Sequence, residues 1–387
     1  MRLAPLAFVL AAAALAACNS GSGSCCRPCP AYASRCAPHV PQAAPPPILS
    51  LEGLEPEDVE LFHARGLAAA AAAPADDKND TAAEFLASAA FRDPATIPAA
   101  DATHMVAHFI YIGQGAATLL ELSKGAIVVD CGAQYGTIDK SSPATTSLLV
   151  RYLDAFFASR PGLNRTIDTV FITHDHKDHE DALPYVLARY TVKHYVDNGP
   201  SAPGPNGGQM SAVYRSARAA AAQKGITVRA VRSEDVPAPT AQSFGLRGAD
   251  IDAINFADCD PAVAVLSGRN PVPAANPGDW AKENNHSLAI RVDWGQSSFL
   301  ITGDLEVNGS RALVSRYGNV PGGPLDVEVY EAGHHGSENG TTAGLMAAVT
   351  PWVAVISAGN AFYQGQRSGW EYGHPHKGAV QLLEASA

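Results

Sequence analysis

Charged and aromatic residues are scarce in this chain of 387 residues, in which Asp, Glu, Lys and Arg make up 17% and Phe, Trp and Tyr 7%. Beyond the N-terminus there is no second long apolar run, so the chain cannot form a multispanning channel by itself. No Gly-x-Ser-x-Gly sequence occurs, which argues against the serine nucleophile of α/β-hydrolases. The net charge of −11 opposes indiscriminate binding of polyanions.

Cysteine is rare outside the first 36 residues, which contain five of the seven cysteines. The Cys26-x-x-Cys29 pair lies in a Gly/Ser/Pro-rich stretch with no helix or strand pattern. That context favours disulfides in an exported tether over a zinc or redox motif. Cys131 and Cys259 lie far downstream, and we expect them to be buried structural thiols.

The N-terminus has the pattern of an export signal. A positively charged start is followed by an apolar run that is too short for a permanent membrane span, so we expect residues 1–17 to be a signal peptide. The run ends in Leu15-Ala16-Ala17-Cys18, which resembles a bacterial lipobox. We therefore expect lipidation of Cys18 and an exported, membrane-anchored bacterial lipoprotein, periplasmic or at the cell surface. Ordinary cleavage near Ala16 or Ala17 is the alternative.

Composition divides the rest of the chain into three parts. Residues 18–50 are rich in Cys, Pro and Gly and indicate a tether, and residues 51–103 carry short Ala-rich helical patterns that form a lead-in without an assigned role. From residue 104 to residue 387 the composition is that of one globular domain. Its length suits a layered α/β fold.

The densest group of metal-binding side chains is His174-Asp175-His176-Lys177-Asp178-His179. It directly follows a short, β-branched apolar run over residues 169–173, which predicts a buried strand. Neutral imidazole nitrogens and carboxylate oxygens at the end of a strand are ligands that Zn²⁺, Mn²⁺ and Fe accept. A solvated polar loop is the alternative, and it leaves the concentration of imidazoles unexplained.

Further donors follow other predicted strands in the same chain. These are Asp130 in an Asp-x-Gly turn, His286 just before the strand from Leu288, Asp304 in a Gly-Asp pair, and His334 and His335 in His-His-Gly-Ser. His374 lies in a Gly-His-Pro-His loop near the end of the chain. Each could instead cap a turn or lie in a surface loop.

The His-x-His-x-Asp-His pattern resembles that of the metallo-beta-lactamase superfamily. With Gly113-Gln114-Gly115 and the later motifs, the chain is most similar to the ComEC-type competence hydrolase domain and its soluble relatives. The resemblance implies a four-layer αββα sandwich of α/β class. The chain departs from the ComEC-type branch at Tyr111 and Ala116, where acidic residues are usual. These departures weaken a claim of nuclease activity.

The same resemblance implies roles for individual residues. His174, His176 and His286 would bind one metal, Asp178, His179 and His334 the second, and Asp304 would bridge the two, while Asp130 would orient the ligands through hydrogen bonds. Asp178, His335 and His374 would act in catalysis, although His334 and His335 could exchange roles.

A pair of divalent ions activates water without a protein nucleophile. We expect two such ions, with Zn²⁺ favoured over Mn²⁺ or Fe, and a hydrolase whose substrate is a phosphodiester such as a nucleic acid or nucleotide. Hydrolysis of an amide, lactone or thioester is the first alternative. A metal-binding surface protein without catalytic activity is the second.

Overall fold

The computed structural model describes residues 93–133, 147–200, 211–272, 278–359 and 369–386. The predicted signal peptide, the tether with Cys18 and the lead-in up to residue 92 lie outside this part of the chain. Among the described residues, no helix combines the length and the apolar character needed to cross a membrane.

The first sheet contains six strands in the order β1-β2-β3-β4-β5-β6. Strands β1 to β3 form an antiparallel meander, whereas β3 to β6 are parallel and need crossover connections, which helices provide. The strands are β1 Val106–Phe109, β2 Thr118–Leu122, β3 Gly125–Val129, β4 Thr166–Ile172, β5 Thr191–Asp197 and β6 Thr227–Ala230, and the helices are α1 Leu148–Ser159, α2 Lys177–Glu180, α3 Leu183–Arg189 and α4 Ala212–Gln223.

The second sheet contains five strands in the order β11-β10-β9-β8-β7, of which β9, β10 and β11 are parallel. The strands are β7 Ala262–Ser267, β8 Ala289–Trp294, β9 Ser297–Ile301, β10 Val329–Glu331 and β11 Val353–Val355. The helices are α5 Val307–Tyr317, α6 Ala343–Val349 and α7 Lys377–Ser386. Short 3₁₀ turns cover Pro94–Thr96, Pro161–Leu163, Gly278–Ala281, Glu283–His286, Gly333–Gly336 and Gly369–Tyr372.

Alternation along the central strands divides the core into three apolar layers. In β4, Val170 packs toward the helices of the first sheet, while the next residue, Phe171, packs between the two sheets. In β9, Leu300 faces helices α5 to α7 and Ile301 faces the space between the sheets. Strands buried on both faces produce the order helix, sheet, sheet, helix. The predicted four-layer α/β sandwich is confirmed.

The two sheets approach each other closely at the carboxyl ends of β4 and β9. The amide of Leu288 donates to the carbonyl of Thr173 at 2.9 Å, which links the loops that leave the two sheets. Gly303 has a φ of 52°, and a Cβ at this position would lie 2.6 Å from Cβ of Thr173. The donors that follow β4 and β9 are therefore brought together between the sheets.

The described part of the lead-in packs at the other end of the first sheet. Buried Glu121 accepts from the amide of Ala100 at 3.1 Å and from Nε of Arg160 at 2.6 Å. Arg160 also donates to the carbonyl of Ile97 at 2.7 Å. Since Glu121 pairs with Val106 at the start of β1, these contacts hold the chain where it enters the sheet.

Candidate metal centre

The loop after β4 is held in place through its main chain. The carbonyl of Asp178 accepts from the amide of Ala116 at 3.0 Å, and the carbonyl of His179 accepts from the amide of Cys131 at 2.7 Å. A Cβ would lie 2.3 Å from the Asp178 oxygen at Gly115 and 1.9 Å from it at Gly132. The two glycine motifs therefore allow the loop to approach the sheet.

One group of donors consists of Asp178, His179, Asp304 and His335, whose ligand atoms all lie within 4.8 Å of one another. Nε2 of His179 is 3.1 Å from Oδ1 of Asp304. Nε2 of His335 is 3.3 Å from Oδ2 of Asp178 and 3.5 Å from Oδ2 of Asp304. The sequence places these residues in three separate segments, and the fold makes one site of them.

A second group consists of His174, His176 and Asp304. Nε2 of His174 lies 3.0 Å from Nδ1 of His176 and 3.8 Å from Oδ2 of Asp304. Asp304 belongs to both groups and is almost fully buried. It is the carboxylate that could bridge two ions.

Hydrogen bonds outside the groups fix the orientation of two rings. Nδ1 of His179 donates to Oδ2 of Asp130 at 2.7 Å, and Asp130 also accepts from the amide and hydroxyl of Thr173. Nδ1 of His335 donates to the carbonyl of Ser357 at 2.7 Å. In the neutral state both rings therefore carry their proton on Nδ1 and present a lone pair at Nε2.

These two lone pairs create a need for positive charge. Nε2 of His179 and Nε2 of His335 are only 3.2 Å apart, and in neutral rings neither nitrogen has a proton to place between them. A proton or a metal ion between the two nitrogens must therefore offset the repulsion of their lone pairs. Neutral imidazoles with carboxylates around one point are ligands for Zn²⁺, Mn²⁺ or Fe, so these residues fit a divalent ion.

The carboxylates stabilise positive charge in the same place. Burial opposes the charged form of His179, but Asp304 and Asp130 together raise its pKa well above the usual value. Burial would also raise the pKa of Asp304, yet His179, His335 and His334 hold it well below the ordinary range. Burial dominates at His174 and lowers its pKa, which keeps this imidazole neutral. The site thus combines ionised carboxylates with imidazole donors.

His374 lies beside the groups on the loop that follows β11. Its ring centroid is 5.1 Å from that of His334 and 6.1 Å from that of His335, and Tyr372 stacks nearly parallel to it at 6.1 Å. Nδ1 of His374 is buried without a hydrogen-bond partner among the described residues. Burial, together with His334 and His335, lowers the pKa of His374 to about 4.

The structure does not bring His286 to the metal site, which corrects its expected role as a ligand. Nδ1 of this buried ring accepts from the amide of Asn270 at 3.1 Å, and Nε2 donates to the carbonyl of Trp280 at 2.8 Å. Both ring nitrogens are occupied by the main chain. The sequence located His286 just before a strand but did not define the direction of its ring.

The two adjacent histidines also change places relative to expectation. His335 occupies the position in the group with Asp178 and His179, whereas Nε2 of His334 lies 3.9 Å from Oδ2 of Asp304 and Nδ1 contacts Asn339 at 2.9 Å. Both residues adopt left-handed backbone, with φ of 51° and 55°. This turn directs His335 inward and leaves His334 at the edge.

Sequence reasoning missed two residues behind the site. Glu331, at the end of β10, accepts from the hydroxyl of Ser357 at 2.6 Å and from that of Thr118 at 2.8 Å. Burial raises the pKa of Glu331. The carbonyl of Ser357 in turn holds His335. A glutamate inside an apolar strand, two residues before Gly333, was the available signal.

Comparison with known proteins agrees with the fold. Residues 110–278 match the metallo-beta-lactamase superfamily. This part of the chain belongs to that superfamily. That superfamily is one of metal-dependent hydrolases. The family and the hydrolase class expected from the motifs are confirmed at the level of this superfamily.

Several curated relatives carry names that refer to competence and recombination. ComE operon protein 3 of Bacillus subtilis is 27% identical over 283 residues, covering 71% of this chain and 30% of that protein. Recombination protein 2 of Haemophilus influenzae is 34% identical over 124 residues, covering 32% and 14%, respectively. Competence protein ComA of Neisseria gonorrhoeae is 39% identical over 79 residues, covering 20% and 11%. The chain thus spans less than a third of each relative.

The similar solved structures have low sequence identity to this chain and low TM-scores. The metallo hydrolase Igni18 of Ignicoccus hospitalis has a TM-score of 0.33 at 13% identity, covering 72% of this chain and 90% of its own. The short form of human tRNase Z has a TM-score of 0.27 at 12% identity, covering 58% and 76%, respectively.

Proposed function

We propose that the protein hydrolyses phosphodiesters at a dinuclear metal centre. His174, His176 and Asp304 would hold one divalent ion, and Asp178, His179, Asp304 and His335 the other, with Zn²⁺ favoured over Mn²⁺ or Fe. The pair of facing imidazole lone pairs beside a shared carboxylate carries this proposal. When bound, the ions supply Lewis acidity and a water of lowered pKa.

The protein's own residues position the reactants around that centre. Asp178 is placed by its docked carbonyl and by the 3.3 Å contact with His335, so its carboxylate can orient a water as well as bind an ion. His374 extends over the donor groups with Nδ1 unpartnered in the described structure, and it can hydrogen-bond to a phosphate oxygen or to the leaving group. His334, at the edge, is a second candidate for contact with substrate.

A phosphodiester is favoured over other substrates because the relatives are named for competence and recombination, processes that involve DNA. Amide, lactone and thioester bonds suit the same chemistry and are the alternatives within hydrolases.

The proposal is tested with metal-reconstituted protein on bis-p-nitrophenyl phosphate and on a chromogenic lactam. We expect cleavage of the phosphodiester, loss of both metal and activity in Asp304→Ala, and about a hundredfold lower turnover with unchanged metal content in His374→Ala. Cleavage of the lactam alone would overturn the phosphodiester proposal. Bound metal without turnover of any substrate would instead indicate a binding protein.

We also propose that the protein is exported and attached to the membrane by a lipid on Cys18. The lipobox-like sequence supports this, and it lies outside the described residues. Cys18→Ala should move the protein from the membrane to the soluble fraction. A wild-type protein that already fractionates as soluble would contradict the proposal.

A further inference from the structure

We propose that the two metal positions are unequal and fill in a fixed order. The buried position, defined as Asp178, His179, Asp304 and His335, binds its ion first and tightly. The open position, defined as His174 and His176 with the shared Asp304, fills second and exchanges. This inference rests on the proposed dinuclear centre. It implies that the supply of metal regulates turnover by setting how often the open position is occupied.

The first argument is the number of donors and their burial. The buried position has four protein donors and the open position has three. His179, Asp304 and His335 are each at most 4% exposed, whereas His176 is exposed to solvent. Ions with fewer protein ligands and more access to water dissociate more readily, since water replaces a lost ligand at little cost.

The second argument is preorganisation of the rings. In the buried position the second nitrogen of each histidine is held, at 2.7 Å by Asp130 for His179 and at 2.7 Å by the Ser357 carbonyl for His335. In the open position, the hydroxyl of Thr173 contacts Nδ1 of His174 at 3.1 Å, and Nδ1 of His176 contacts Nε2 of His174, the other ring of the same position, at 3.0 Å. Hydrogen-bond partners of metal-binding histidines change metal affinity by about tenfold to a hundredfold.

The third argument concerns the missing donor of the open position. His334 also approaches the shared carboxylate, but its Nε2 is 3.9 Å from Oδ2 of Asp304 and 3.4 Å from Nδ2 of Asn284, and Asn339 holds its other nitrogen. Asn284 is itself fixed by a hydrogen bond to Glu306 at 3.1 Å. These contacts hold His334 outside the group, so the open position retains coordination sites for water or substrate.

The experiment is a calorimetric titration of metal-stripped full-length protein with Mn²⁺, with bound Mn²⁺ counted by electron paramagnetic resonance. We expect two classes of binding site, each holding one ion, whose affinities for Mn²⁺ differ by at least about tenfold. His176→Ala should remove the weak class and keep the tight one, whereas His335→Ala should remove the tight class. His334→Ala, altered at the adjacent residue, should keep the tight class. His376→Ala, a half-exposed histidine outside both positions, should keep both classes.

Loss of the tight class in His176→Ala, retention of it in His335→Ala, equal affinities or a single bound ion would each overturn the inference. Because His176 is exposed, its variant tests the order even if His335→Ala fails to fold. Equal affinities at the two positions, together with full phosphodiester cleavage, would refute only the order of filling and would leave the proposed function standing. Two unequal classes with no cleavage would refute the proposed function and leave the order standing.

Discussion

Asp130 connects more parts of the site than any role in a turn would require. One carboxylate oxygen accepts from the amide of Thr173 at 2.7 Å, and the other accepts from the hydroxyl of Thr173 and from His179. It adopts a φ of 61°, which few residues other than glycine adopt at low cost. A single side chain thus fixes both the end of β4 and the direction of a metal-binding ring.

Asp130→Asn should lower metal affinity at the buried position by about tenfold to a hundredfold. An amide has one acceptor oxygen where the carboxylate uses two, so His179 loses either its partner or its orientation. Metal titration measures the effect. Asp168→Asn is the matched control, because Asp168 is also buried but contacts the amide of Ala126 and Lys193 earlier in β4. Equal losses in both variants would show that Asp130 acts only through stability.

Sequence reasoning at the scale of single residues was limited by side-chain direction. It located Asp178, His179 and Asp304 because each follows an apolar strand and must therefore lie at a strand end. It could not choose between His334 and His335, since the choice depends on two left-handed backbone angles in one turn. It also placed His286 in the site, although contacts with Asn270 and Trp280 turn the ring away.

At the scale of elements, the strands could be predicted and the contacts between loops could not. Short, β-branched apolar runs indicated the buried strands, and the resemblance to a known superfamily implied the layered α/β class. In the sequence, Gly113 and Gly115 suited either a turn or a close approach of the backbone, and Gly132 suited a turn, but no partner segment could be named. In the structure two of them make room for the carbonyl of Asp178, a contact between segments more than forty residues apart.

Gly132→Ala should displace the metal-binding loop. The added methyl would lie 1.9 Å from the Asp178 oxygen, so the loop must move, at a cost of about 1–3 kcal/mol. We expect lower thermal stability and lower metal content. Gly162→Ala is the control, because nothing lies within 4 Å of its added Cβ. Normal metal content in Gly132→Ala would mean that the loop tolerates displacement without loss of the site.

At the scale of the whole molecule, the metal centre joins the two halves of the sandwich. His174 to His179 leave the first sheet, whereas Asp304 and His335 leave the second. Between the sheets an apolar layer that includes Phe171, Val292 and Ile301 holds the halves together without metal. Binding energy at the site is therefore added to a core that is already formed.

Removal of metal with a chelator should lower the melting temperature by several degrees and leave one cooperative transition. An ion that binds only the native state adds about 4 kcal/mol at a thousand times its Kd. Scanning calorimetry of metal-loaded and stripped protein measures the shift, and added metal should restore it. Identical melting temperatures would contradict tight binding, and two separate transitions would show that the sheets depend on the ion for cohesion.

The direction of β1 shows at which end of the domain the N-terminal part of the chain enters. Val106 begins β1 at the end of the sheet where Glu121 and Arg160 hold the incoming chain, and Phe109 ends it beside Thr118, which contacts Glu331 behind the metal site. The chain thus enters at the pole opposite the donors. If Cys18 is lipidated, the segment that follows it joins the domain at this pole, and it need not pass the donors to do so.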